Sequence, residues 1–169
     1  DNDLVAAREG GTIKKGLKLH PRVLADYPAV RHDFFQYMIG NADWSTVNDH
    51  NENTIFVSPS TYYPLPYDFD MAGFVNASYA RENAPNLGTG NIRERVYRGF
   101  CRPREVLDSV RREFLAKESL MYDLIDGFQT ELGDYQTRDM KSYLMQFFDI
   151  LRKDDSFKQA IVDACRTNQ

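Results

Sequence analysis

Residues 40–73 read GNADWSTVNDHNENTIFVSPSTYYPLPYDFDMAG. A polar run over 41–53 comes first, with Trp44 and Val47 as its only large apolar side chains. TIFV (54–57) and TYYPL (61–65) follow, rich in β-branched and aromatic residues and parted by Ser58, Pro59 and Ser60, which predicts a β-hairpin. Pro64 and Pro66 confine the second strand to a sheet edge or a short length, because proline donates nothing to a ladder. A hairpin folds its ends together, drawing Asp43, Asn48, His50 and Asn51 on the entering side toward Asp68 and Asp70 on the leaving side.

Outside this stretch the spacing is helical. DLVAAREGG predicts a short helix stopped by Gly10 and Gly11, followed by a loop carrying Lys14, Lys15 and Lys18. Residues 22–39 carry a stripe of Phe34, Phe35, Met38 and Ile39 that Pro28 divides and Gly40 ends. Residues 74–91, with four asparagines and Gly88 and Gly90, read as a long irregular surface loop. From 92 to 169 four apolar stripes predict helices: one after Pro103, one closed by Gly133, one capped by Thr137 and one capped by Ser156. The expected architecture is one domain, mainly α with one small β-hairpin: N-terminal helices over 1–40, a catalytic-type loop and hairpin over 41–73, the loop over 74–91 and a helical bundle over 92–169.

Composition narrows the class. With 42% apolar and 27% charged residues the 169-residue chain can bury a core without added staples. A net charge of −4 gives no reason to expect nucleic acid as a partner, and no apolar run is long enough for a membrane span. Cys101 and Cys165 lack metal-type spacing and read as two idle thiols, with a disulfide open but unsupported by spacing alone. The chain starts at Asp1 rather than methionine, so it reads as a processed product or part of something longer, and a cytoplasmic or exported location stays open.

The polar cluster has a chemical logic. Carboxylate and amide oxygens are hard ligands suited to Mg²⁺, which takes one or two protein carboxylates plus substrate phosphates. A further aspartate, not needed for metal, is free to accept a hydroxyl proton. Such a division of labour serves phosphoryl transfer.

GNADWSTVNDHNENTIFV followed by PLPYDFDMAG resembles the catalytic segments of bacterial proteins of kinase-like fold, notably the HipA toxin kinases and the CotH spore-coat kinases. The shared order is Asn41 and Asp43, then His50 and Asn51 before TIFV, then Pro66, Tyr67 and Asp68. FQYMIGNADWS, PYDFDMAGFVNASYA and RERVYRGFCR look like a further group of bacterial proteins within that set. The resemblance implies the C-terminal lobe of a protein-kinase-like fold, with Asp43 as catalytic base and Asn51 and Asp68 as metal ligands. It implies Mg²⁺ and ATP as cofactors, and as partners a nucleotide, an unidentified acceptor and the N-terminal lobe of the same protein. Kinase spacing points instead to Asn48 as the amide ligand, whereas adjacency to the strand favours Asn51. Asp70 stays a second ligand or a structural acceptor beside Asp68.

No glycine-rich loop and no strand lysine precede Asp43, so the chain is expected to be the C-terminal lobe of a longer protein, binding ATP poorly and catalysing little alone. Residues 1–11 resemble the stretch just after the hinge. The alternative is a non-catalytic, pseudokinase-like binding or scaffold protein of the bacterial cell envelope. Each site residue also has a plain structural reading: Asp43 as a turn acceptor, the asparagines as turn residues, Asp68 and Asp70 as satisfied acceptors. His50 is expected to order the loop and Trp44 to anchor it. Seven arginines between 93 and 112 face three acids, which suits oxyanion binding, although an ion-paired helix face is the simpler expectation.

Overall fold

The computed structural model describes residues 2–167; Asp1, first residue of the stretch likened to a post-hinge segment, lies outside them. In chain order come α1 (Asn2–Arg8), β1 (Thr12–Lys14), a 3-10 turn (Pro21–Val23), α2 (Asp26–Ile39), β2 (Glu52–Val57) and β3 (Thr61–Pro66). Then follow α3 (Ser78–Asn83), a 3-10 turn (Ala84–Leu87), α4 (Arg104–Ala116), α5 (Glu118–Gly127), α6 (Gln129–Arg152), α7 (Asp154–Phe157) and a π-helical turn (Lys158–Val162). The chain is mainly helical with one small antiparallel sheet, as composition and spacing lead one to expect. Among the described residues no helix is long and apolar enough to cross a membrane.

The predicted hairpin forms, with Val57 opposite Thr61 and Glu52 opposite Pro66, and the proline-bearing β3 lies at an edge. The sheet nevertheless has three strands. Thr12–Lys14, expected in a loop, pairs with β2 through Ile13 opposite Ile55. Three residues are too few to show a period, so only the partner reveals the strand.

Pro28 does not divide α2. It sits in the first turn, where its missing N–H has no helical acceptor to lose. The 74–91 segment is likewise not irregular throughout: α3 and the following turn bury Ala80 and Ala84 against Ile92. Alanines are too small to advertise a stripe among asparagines. Ser156 caps nothing, because α7 begins at Asp154. Thr137 is buried inside α6, where its hydroxyl donates to Gly133 O at 3.0 Å. Gly133 does interrupt the helix, at φ 77° and ψ 162°, a conformation that only glycine adopts cheaply.

One core unites α2, α4, α6 and α7. Phe34 is fully buried, and its ring meets those of Tyr97, Phe114 and Phe157. Leu107, Val110 and Phe114 on α4 face Leu144, Phe147, Phe148 and Leu151 on α6. Full burial of each such side chain stabilises by about 1.5–3 kcal/mol. This helical frame fixes the C-terminal end of α2, from which the polar loop departs.

Cys101 and Cys165 are joined by a disulfide, which corrects the reading of idle thiols. It ties the end of the chain to the segment before α4. Phe100 and Arg166 form a parallel bridge beside it, with Cys101 N–H donating to Arg166 O and Arg166 N–H to Gly99 O.

Candidate functional site

The site segment leaves α2 at Gly40, whose left-handed backbone (φ 64°) caps the helix through Gln36 O and Tyr37 O. It returns at Gly73, whose N–H donates to Gly40 O at 3.0 Å. The Tyr143 hydroxyl of α6 lies against both glycines, so neither position has room for a side chain. Tyr143 is itself held between Arg93 and Arg95, whose guanidinium carbons lie 4.3 and 3.6 Å from its ring centre. The segment is thus an excursion pinned at its neck.

Asn41, fully buried, organises the interior of the excursion. Its Oδ1 accepts from Asp43 N–H at 2.9 Å, and its Nδ2 donates to Asp68 O at 3.2 Å. One side chain therefore ties the entering loop to the segment that leaves β3. Trp44, buried as expected, donates its indole N–H to Asn41 O.

Asn51 holds Asp43 directly. Its Nδ2 donates to the backbone oxygen of Asp43 at 2.8 Å and to Oδ2 at 3.0 Å. Asn51 adopts φ 52°, which asparagine tolerates better than most residues, and its carbonyl accepts from Tyr67 N–H. The pairing thereby runs one residue past the strands, with Tyr67 opposite Asn51 and Asp68 next along the chain. The amide nitrogen is committed to Asp43, and among the described residues no hydrogen bond occupies the amide oxygen.

His50 presents Nε2 to Asp43 Oδ1 at 2.8 Å while largely exposed. It also closes the small turn by pairing its backbone with Ser45 in both directions. Asn48 lies exposed on that turn, its N–H on Ser45 Oγ, outside the Asp43 contacts. Asp68 Oδ1 accepts from Asp70 N–H at 3.3 Å, and Asp70 Oδ2 accepts from Tyr79 OH at 3.1 Å. Donating that proton to Asp70 raises the Tyr79 pKa. The structure thus brings together Asp43, His50 and Asn51, links Asp68 to them through the Asn41 side chain, puts Asp70 one step further out and leaves Asn48 apart.

Among the described residues no group of three or more histidine, cysteine, aspartate or glutamate side chains could hold a metal ion. The donor chemistry present, the Asn51 amide oxygen and the Asp68 carboxylate, suits a Mg²⁺ ion that brings its remaining oxygens from water and phosphate.

Beneath the loop lies a cluster that the sequence did not disclose. Buried His32 places Nδ1 3.1 Å from Asp33 Oδ1 and Nε2 3.2 Å from Glu52 Oε2, with the Trp44 ring edge-on at 4.6 Å. Burial pulls the His32 pKa down, but the Glu52 and Asp33 carboxylates outweigh it and leave the pKa above the usual value. Burial pushes Glu52 up more than His32 and Thr46 pull it down. The one sequence cue is the polar pair His32 and Gln36, four residues apart on an otherwise apolar helical face.

The arginines between 93 and 112 are mostly not on a solvated helix face. Arg93 pairs with Asp139, Arg102 with Asp26 and Arg111 with Asp154, while Arg95 donates to Met38 O and Tyr143 O. Arg104 does match the expectation, pairing with Asp108 one turn along α4. Arg98 stands elsewhere: it donates to Leu87 O and is half-buried. Burial and then the like charge of Arg166 lower its pKa, while Asp43 opposes the shift.

Comparison with protein-family models, curated proteins and solved structures finds no match to the chain.

Proposed function

We propose that this chain is the C-terminal lobe of an ATP- and Mg²⁺-dependent phosphotransferase of kinase-like fold. The observation that supports it most is the double grip of Asn51 on Asp43, with Asn41 tying the same loop to Asp68. Asp43 acts as base: one carboxylate lone pair accepts the proton of an acceptor hydroxyl as that oxygen bonds to the γ-phosphorus. The bond to the β,γ-bridging oxygen breaks, and ADP leaves with the electron pair. His50 and Asn51 each occupy one lone pair on a different oxygen of Asp43, which orients the carboxylate and leaves lone pairs for the proton. Asn51 and Asp68, with Asp70 at the rim, would hold Mg²⁺, which when bound offsets charge on the phosphates.

The test is Mg²⁺-dependent nucleotide binding and phosphate transfer by the full-length protein, compared among wild type, Asp43→Ala and Asp68→Ala. Loss of transfer in both variants is expected. Transfer unaffected by either substitution overturns the reading.

A second reading, a non-catalytic scaffold of the cell envelope, is favoured by an apolar groove of about 390 Å³ between α2, α5 and α6, with Phe69, Met121 and Phe128 among its walls. The Cys101–Cys165 disulfide suits an oxidising compartment under either reading. Absence of nucleotide binding by the full-length protein, with or without Mg²⁺, decides for the scaffold.

A further inference from the structure

We infer that Ser45, His50 and Asp43 form a nucleophilic centre that takes the acyl group of a neutral ester onto the Ser45 hydroxyl, without metal or nucleotide. This chemistry is separate from the transferase reading, because Asp43 stays ionised and orients a histidine instead of accepting a proton itself. Four observations carry it.

The first is a shared face. Ser45 and His50 form an antiparallel bridge in which each N–H donates to the other's carbonyl, at 2.9 and 3.0 Å. Directly opposite residues send their side chains to one face, with Cβ atoms about 4.5–5.5 Å apart. Asp43 joins that face: Trp44 and Thr46 are buried, while Asp43 and Ser45, which alternate with them, are only partly so. The contact of His50 with Asp43 fits the same alternation.

The second is the state of the imidazole. His50 Nε2 lies 2.8 Å from a carboxylate oxygen, which assigns the ring proton to that nitrogen. Nδ1 then keeps its lone pair, and the side chain is largely exposed.

The third is the rigidity of the orienting group. Asn51 holds Asp43 by its backbone oxygen and Oδ2, and Asn41 Oδ1 accepts from its N–H. A base oriented by a third, fixed group is the arrangement that activates a serine hydroxyl.

The fourth is the nucleophile and its surroundings. Ser45 Oγ accepts from Asn48 N–H at 3.2 Å, which fixes the oxygen and leaves its own proton to donate. Asp43 and Asp49 lie on the same turn, so a neutral acyl ester approaches more readily than an anion.

In the reaction Ser45 Oγ bonds to the acyl carbon as its proton passes to His50 Nδ1, and Asp43 stabilises the imidazolium through Nε2–H. The ester C–O bond breaks, and the alcohol leaves with the electron pair and the proton from Nδ1. The acyl group stays on Ser45 until water removes it by the same route.

The experiment treats the full chain with p-nitrophenyl acetate in EDTA, without nucleotide, and locates acetyl groups by peptide mass spectrometry over time. It is run on wild type, Ser45→Ala, His50→Gln and Asp43→Asn, with His20→Gln and Ser60→Ala as controls at exposed positions. His50→Gln keeps an amide donor for Asp43 Oδ1 but takes up no proton, so a merely structural His50 would leave acetylation intact. Circular dichroism checks the fold of each variant, and His50→Gln decides alone if Asp43→Asn does not fold. The expected result is acetylation of Ser45 in wild type, slowed tenfold or more by His50→Gln and by Asp43→Asn and unchanged by either control. No acetyl group on Ser45, or equally fast acetylation of Ser45 in His50→Gln, overturns the centre. Acetylation of Ser45 with phosphate transfer absent leaves the centre standing and removes the transferase reading. Asp43-dependent phosphate transfer with Ser45 unacetylated does the reverse.

Discussion

Asn51 donates one amide nitrogen to two atoms of Asp43, the backbone oxygen at 2.8 Å and carboxylate Oδ2 at 3.0 Å. Backbone and side chain of the aspartate are therefore fixed by one group, which sets the direction of the carboxylate without a metal. Asn51→Gly keeps the positive φ accessible and removes only this grip. It is expected to cost about 1–3 kcal/mol in urea unfolding, the range for stranding partly buried partners. Asn48→Ala, on the exposed turn, is expected to stay within about 0.5 kcal/mol. Equal effects of the two would remove Asn51 from its organising role.

The His32 cluster makes stability depend on pH. The native pKa of His32 is raised, so between the unfolded value of about 6.5 and the higher native value the folded state holds a proton that the unfolded state has lost. Raised Glu52 acts in the same sense, from about pH 4.5 upward. Stability is therefore full at the low-pH side and falls as pH rises through the native pKa values. Urea midpoints from pH 5 to 9 should decline for wild type and decline less for the double variant His32→Leu/Glu52→Gln. A wild-type midpoint that rises across this range contradicts the assignment.

Removing His32 alone leaves Glu52 and Asp33 buried without their cation. His32→Leu is expected to destabilise by about 3–5 kcal/mol, the range for breaking a buried pair from one side. The double variant with Glu52→Gln should recover part of that loss. Thermal unfolding of the single and double variants measures the coupling.

The disulfide joins residues 64 apart in sequence, and opening it returns loop entropy to the unfolded chain. Reduction, or Cys101→Ser with Cys165→Ser, is expected to cost about 2–4 kcal/mol. Comparing melting temperatures with and without dithiothreitol checks it, and the double serine variant should be insensitive to the reductant.

Gly40→Ala forces a side chain into positive φ and onto the Tyr143 hydroxyl. The expected cost is about 3 kcal/mol, combining the left-handed penalty with overpacking. Gly10→Ala is the control, since Gly10 also has positive φ but open space around it. Calorimetric melting should separate them clearly.

What the sequence made legible were features written in neighbouring residues. β-Branched and aromatic residues mark β2 and β3, the prolines place β3 at an edge, and the left-handed stop at Gly40 ends α2. Asp43, Asn51 and Asp68 stand out because the hairpin brings its two ends together. Features set by distant partners did not stand out. His32 and Glu52 each resemble an ordinary surface residue until the fold buries them together. The Cys101–Cys165 bond and the seat of Arg166 depend on where the last helical turn delivers the chain end. The strand at Thr12–Lys14 exists through its pairing with β2.

The hydrogen bond from Gly73 to Gly40 gives the excursion a single doorway in the helical frame. A segment that leaves and re-enters at one point can change length at its exposed tip, residues 58–60, without shifting any helix it departs from. Insertions there burden only the hairpin. The tip can therefore vary over evolutionary time while the base of the hairpin, tied to α2 through Glu52 and His32, stays fixed like a cassette in its housing.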